Sequence, residues 1–155
     1  MVGLSHSALR CLVHAEGGTG LLFTEMLAAR RLPHDNPCCS PLLIRHQSEA
    51  PLFYQIIAAN AEEIEPAVEK LHTLGADGID LNLGCPAPTQ RKQGAGAVLA
   101  GNRAALKKVL RRLRQCTDLP VSVKIRLGDD PVADALPAFG HFLEAEGVDM
   151  ITIHA

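Results

Sequence analysis

The sequence predicts an α/β fold built on a single parallel sheet, and three observations predict it. First, short apolar runs alternate with helical stripes along all 155 residues, giving the order βαβαβαβ with connections long enough for crossover helices. Second, the strand candidates turn polar on one face toward their C-terminal ends. Ser122, Lys124 and Arg126 oppose Val121, Val123 and Ile125; Asp80 and Asn82 oppose Leu81 and Leu83; Thr152 and His154 oppose Ile151 and Ile153; Gln55 opposes Tyr54 and Ile56. Third, no GxGxxG turn follows the first strand candidate, as a doubly wound open sheet would favour. A sheet covered on both faces is apolar on both, whereas a barrel interior opens into polar groups at its strand C-termini. A complete (β/α)8 barrel takes about 250 residues, so five strand candidates imply part of a TIM barrel with two strand edges left open.

The elements follow in order. A helix is expected over residues 7–16, then a strand over 21–25. Three prolines and the adjacent Cys38 and Cys39 make 31–41 a loop. A strand at 52–57 leads to Asn60, which stands three residues before Glu63 in capping-box spacing. Ile64, Ala67, Val68, Leu71 and Leu74 then form a helical stripe. Pro66 requires that helix either to begin later than Asn60 suggests or to kink. Gly75 ends it, and a strand covers 79–83. Leu106, Val109, Leu110 and Leu113 fall at i, i+3, i+4 and i+7, an apolar stripe facing a core. Pro120 opens a strand at 121–126. A helix over 135–146 would carry Pro137 in its first turn with Asp134 as cap, and Gly147 separates it from the last strand at 150–154.

Composition narrows the function. Hydrophobic residues make up 47% and aromatics 3%, so aliphatic side chains must fill the core. A net charge of -2, from 15 basic and 17 acidic residues, gives no global attraction for nucleic acid or an anionic membrane. No apolar run approaches the roughly 18 residues of a membrane helix, and the start of the chain shows no basic leader and apolar stretch, which reads as cytoplasmic. Five scattered cysteines suit a reducing compartment rather than a disulfide framework. His34, Cys38, Cys39 and His46 lack CxxC spacing, so no metal site is expected.

The chemistry concentrates at the strand ends. Cys85 lies between Gly84 and Pro86 at the mouth of its strand, beside Asn82. A free thiol with a pKa of about 8.5 is largely protonated near neutrality and can donate its proton; a lowered pKa would instead make it a nucleophile. Lys124 and Arg126 point the same way, and two cations inside a sheet need an anion or a polar ligand such as a reduced flavin or a phosphate. A histidine such as His154 can serve as acid, base or hydrogen-bond donor to a substrate. Gln55 and Asn82 suit hydrogen bonds to the edge of a flavin or a base. The small residues from Gly94 to Ala97 permit close backbone approach without the Lys-Ser/Thr of a P-loop. The following helix carries Arg103, Lys107, Lys108, Arg111, Arg112 and Arg114 with no acid among them, a stripe that could meet phosphates or simply be solvated.

Leu81-Asn82-Leu83-Gly84-Cys85-Pro86, Gly94-Ala95-Gly96, Val123-Lys124-Ile125-Arg126-Leu127-Gly128 and Thr152-Ile153-His154-Ala155 together resemble the tRNA-dihydrouridine synthase family. Met1 to His6 resembles the segment after that family's first barrel strand, and Thr24-Glu25-Met26 matches another family segment. The resemblance implies the N-terminal portion of an FMN-binding TIM barrel over 1–155, with the later strands and a helical tRNA-binding domain outside it. It also implies reduction of the 5,6 double bond of uridine in tRNA through FMN, with NADPH or NADH as reductant. Cys85 would be the proton donor, Met1, Gln55, Lys124 and His154 would bind FMN, and Asn82 and Arg126 would contact or support the substrate site. Two other readings stand beside it. One is a non-catalytic remnant or half-barrel that pairs with a missing segment; the other is a different FMN barrel oxidoreductase acting on a free pyrimidine. The 155 residues alone are expected to hold flavin weakly and to turn nothing over.

Overall fold

The computed structural model describes residues 3–127 and 135–154. One parallel sheet runs through them, with helices packed on its outer face. Its strands are β1 (Leu22–Phe23), β2 (Leu27–Ala28), β3 (Leu52–Ile57), β4 (Gly78–Asn82), β5 (Val121–Arg126) and β6 (Met150–His154). The spatial order follows the chain: β1 and β2 both pair with β3, then come β4, β5 and β6, all parallel. This curled, open sheet of five strand positions is the partial (β/α) barrel that the sequence predicts.

The first position departs from the expected strand at 21–25. β1 and β2 are two pieces of one strand divided by a bulge, in which Thr24, Glu25 and Met26 face only Tyr54 and Gln55 of β3. The Thr24 side chain repairs the ladder: its backbone N–H donates to the Phe53 carbonyl at 3.0 Å, and its Oγ1 accepts from the Gln55 N–H at 3.0 Å. Glu25, buried at the bulge, accepts from the Gly3 N–H at 2.7 Å and ties the N-terminal segment to the sheet.

The helices are α1 (Ser7–Ala15), α2 (Ile64–Thr73), α3 (Pro88–Lys92), α4 (Ala97–Gly101), α5 (Arg103–Cys116) and α6 (Ala135–Ala145). Asn60 caps a 3-10 turn, Ala61–Glu63, by accepting from the Glu62 and Glu63 N–H groups. The α-helix proper therefore starts at Ile64, and Pro66 falls in its first turn, where a missing N–H breaks no intrahelical bond. Pro137 likewise lies in the first turn of α6; the expected cap Asp134 lies outside the described residues. Gly75 and Gly147 adopt positive φ of 70° and 86° just beyond α2 and α6, as helix C-termini favour.

The core lies between sheet and helices. Ile64, Ala67, Val68 and Leu71 of α2, and Leu106, Val109, Leu110 and Leu113 of α5, bury against Tyr54, Ile56, Ile79, Leu81, Val121 and Val123. Burying each such leucine or isoleucine contributes about 1.5–3 kcal/mol. The inner face is layered by register. Phe23, Phe53 and Gly78 form one row, Gln55, Asp80 and Ser122 the next, then Asn82, Lys124 and Thr152, and Arg126 with His154 at the rim. The lowest row is apolar: Phe23 and Phe53 meet edge to face at 5.7 Å, and a Cβ on Gly78 would stand 2.2 Å from the Phe53 ring.

Candidate functional site

The upper rows open into a cleft of about 340 Å³ at the strand C-termini. Gln55, Asn82, Cys85, Lys124, Arg126 and His154 all line it. Met1 lies outside the described residues. A volume of this size falls at the small end of the range for ligand pockets.

The turn carrying Cys85 is held from two sides. Asn82 Oδ1 accepts from the Gly84 and Cys85 N–H groups at 3.1 and 2.9 Å, folding the chain over the end of β4. Gly84 lets that turn lie against β5, since a Cβ there would stand 3.1 Å from the Arg126 nitrogen. From behind, the Ala97 N–H donates to the Cys85 carbonyl at 3.2 Å. Gly96, at φ 62°, allows this approach: a Cβ would lie 2.6 Å from the Cys85 carbonyl oxygen. The run of small residues from Gly94 to Ala97 thus buttresses the cysteine turn.

Below the turn runs a polar relay. Asn82 Nδ2 donates to Gln55 Oε1 at 3.0 Å, Gln55 Nε2 donates to Asp80 Oδ2 at 2.6 Å, and Ser122 Oγ donates to Asp80 Oδ1 at 2.5 Å. Asp80 is 1% exposed and Ser122 fully buried. Burial pushes the Asp80 carboxyl above its ordinary 3.8, opposed by hydrogen bonds from Ser122 and Gln55 and by the charge of Lys124. At the rim Arg126 donates to His154 Nδ1 at 3.3 Å. Arginine has no acceptor, so Nδ1 presents its lone pair, and a neutral His154 ring carries its proton on Nε2.

Lys124 and Arg126 take part in no ion pair among the described residues. The stripe on α5 is different. Lys107 and Arg111 bind Glu146 at 2.9 and 2.8 Å, Arg112 binds Glu65, and Arg114 reaches Asp149 at 3.4 Å. The Arg103 guanidinium stacks over Phe139, 3.5 Å from the ring centroid. The local sequence shows no acid in this helix, but α2 and the segment after α6 supply acids to four of its six cations; exposed Lys108 makes no salt bridge among the described residues.

Sequence reasoning missed three residues here. Asp80 and Ser122 read only as polar members of an alternating strand, and their hydrogen bond between strands depends on register. Met26 lines the cleft from within the bulge. Among the described residues no group of three or more His, Cys, Asp or Glu side chains could hold a metal.

The fold and the site define an α/β chain whose partial barrel gathers at its strand C-termini a cysteine, two carboxamides and two cations that make no salt bridge among the described residues. The chain belongs to the dihydrouridine synthase (Dus) family, whose sequence pattern it matches over residues 1–155. It is 32% identical over 165 aligned residues to the probable tRNA-dihydrouridine synthase of Mycobacterium tuberculosis, an alignment covering 100% of this chain and 42% of that one. It is 28% identical over 152 residues to the probable tRNA-dihydrouridine synthase 1 of Synechocystis, covering 98% and 42%. It is 31% identical over 137 residues to the corresponding Rhizobium leguminosarum protein, covering 88% and 43%. The chain therefore spans about two-fifths of the length of the curated relatives it matches.

Proposed function

We propose that these residues form the N-terminal portion of the FMN-binding barrel of a tRNA-dihydrouridine synthase, which reduces the 5,6 double bond of uridine in tRNA. The observation that carries this reading is the convergence of Cys85, Asn82, Gln55, Lys124, Arg126 and His154 on one cleft. The donor set fits a flavin. Among the described residues Lys124 and Arg126 make no salt bridge, and each carboxamide keeps one N–H beyond those used in the relay. Such a set suits a ring with carbonyl edges that gains negative charge on reduction. FMN, when bound, would supply hydride chemistry at this cleft, with NADPH or NADH as the reductant.

The protein groups supply the rest. The target base leaves the RNA stack to reach the cleft. Hydride addition at one carbon of the double bond leaves electron density at the other, and the Cys85 thiol quenches it by giving up its proton. Asn82 orients the Cys85 turn beside base and flavin. Gln55, Lys124 and His154 would hold the flavin, with Met1 assigned to it by the family resemblance alone, and Arg126 braces His154. The remaining strands and a tRNA platform come from polypeptide outside these 155 residues, as the coverage of the relatives supports. Among the described residues no helix is long and apolar enough to cross a membrane; with tRNA as partner, a cytoplasmic location follows from this reading.

The test uses the full-length protein. Purified material should carry FMN absorbance and form dihydrouridine in unmodified tRNA with NADPH or NADH. Cys85→Ala should keep the flavin and lower product formation by about 10²- to 10⁴-fold. Turnover of free pyrimidine without turnover of tRNA, or an undiminished Cys85→Ala variant, sinks the proposal.

A further inference from the structure

Asp80 sits one layer beneath the cleft rim. It is 1% exposed, and both its carboxylate oxygens already hold donors: Ser122 Oγ at 2.5 Å and Gln55 Nε2 at 2.6 Å. The orientation of everything above it follows from that. A carboxylate only accepts, so Gln55 must turn its amino group downward, and its carbonyl oxygen then faces Asn82. Asn82 in turn must offer Nδ2 to that oxygen at 3.0 Å. Its own carbonyl oxygen is thereby left for the Gly84 and Cys85 N–H groups at 3.1 and 2.9 Å. Backbone N–H groups only donate, so the relay is consistent from both ends: an acceptor at the bottom, donors at the top, and two carboxamides committed between them.

We propose that Asp80 is a positioning residue that acts through Gln55 and Asn82 to fix the backbone of the Cys85 turn and to leave both carboxamides with N–H donors for the cleft. This inference rests on the reading of Cys85 as the reacting thiol, and it adds a residue that touches neither thiol nor ligand. The N–H groups left on Gln55 and Asn82 join Lys124, Arg126 and His154 Nε2–H, making the polar side chains of the cleft a set of donors. The class of ligand this set recognises is a planar ring with acceptor edges. A ring presenting only donors along the same edge is disfavoured, because it would face N–H groups across a desolvated gap.

Two substitutions separate this role from a generic need for a buried polar group. Asp80→Asn preserves the relay: the new Oδ1 accepts from Gln55 Nε2, and the new Nδ2 donates to the Ser122 hydroxyl, which can accept. Asp80→Leu breaks it, freeing Gln55 and then Asn82 to reorient. The readout is site-resolved alkylation of Cys85 by iodoacetamide in the full-length protein as isolated, with exposed Cys38 as internal reference. Asp80→Leu should raise the Cys85 rate by at least about fivefold over wild type as the turn opens more often, while Asp80→Asn stays within about twofold. A Cys85 rate in Asp80→Leu within about twofold of wild type overturns the proposal. So does an equal rise in both variants, which would assign the effect to charge. If Asp80→Leu does not yield folded protein, Gln55→Leu cuts the relay one link higher, leaves the Asp80 to Ser122 bond in place, and is read by the same two outcomes. Alkylation needs neither tRNA nor turnover. Absence of dihydrouridine with wild-type protein would therefore strike the proposed function and leave this measurement intact.

Discussion

Glu49 is a fully buried carboxylate that ties the first helix to the chain entering β3. Arg10 binds it through Nε and spends its other nitrogens on the Ser5 and Ile44 carbonyls, while Ser7 and the His46 N–H also donate to it. Burial alone pushes the Glu49 carboxyl upward, but donation from Ser7, His46 and Arg10 outweighs it, and the net direction is down from 4.5. Glu49→Ala leaves the Arg10 guanidinium buried without its counter-ion, and about 3–5 kcal/mol of stability should be lost in urea titrations. The same group predicts a pH dependence. A carboxyl held lower in the folded chain than in the unfolded one stabilises the fold above the unfolded value of 4.5. That contribution is lost as pH falls below it, through the folded value. The difference in urea midpoint between wild type and Glu49→Gln should therefore be full near neutrality and shrink below pH 4.5. A difference that stays constant into acid would contradict this assignment. Asp80 contributes with the opposite sign: its folded value is raised, so stability from this group declines as pH climbs from 3.8 through that value.

Among the elements, the Cys85 turn depends on a segment ten residues downstream that carries no chemistry of its own. Gly96 has φ 62°, and a Cβ there would meet the Cys85 carbonyl oxygen at 2.6 Å. Gly96→Ala should cost about 1–3 kcal/mol. That strain falls on the turn, so in the full-length protein the proposed turnover should fall by more than the loss of folded protein accounts for; a variant that melts early but works normally would contradict the coupling. Conversely, Leu110→Ala in α5 should cost about 2–5 kcal/mol and leave the reactivity of Cys85 unchanged in the folded fraction. The contrast tracks what the sequence makes legible. β3, β5 and β6 lie where the two-residue alternation puts them, and the α5 stripe is buried at each of its four predicted positions. The bulge at Thr24 to Met26 is illegible because the run from Leu21 to Glu25 looks continuous; only pairing with β3 reveals the extra residue. The helices α3 and α4 are too short to show a stripe. At the site, residue types at strand ends pointed to the cleft, whereas the Asp80 relay and the acids that pair with four of the α5 cations arise from contacts between distant segments. Sequence spacing does not encode those contacts.

At the scale of the molecule, the layered inner face and the open edges determine how the 155 residues behave when produced by themselves. Among the described residues β6 pairs only with β5, and β1 and β2 pair only with β3, so both ends of the sheet present unpaired backbone N–H and C=O groups. Apolar surface accompanies the β6 edge: Ile153 is 50% exposed and Leu127 42%. The inner face cannot seal itself, because its middle rows are Gln55, Asp80 and Ser122 followed by Asn82, Lys124 and Thr152, rather than the interlocking aliphatic layers of a closed barrel. The core between sheet and helices is nevertheless continuous, so these 155 residues should keep their parallel sheet and bury its strand edges by association. Sedimentation velocity over about a hundredfold range of concentration should show mass rising with concentration. Added FMN should be held too weakly to survive gel filtration, because ring contacts in an open cleft are offset by the ordering cost of binding. If the 155 residues stay monomeric over that range and elute with stoichiometric flavin, these strands close the site without further barrel strands.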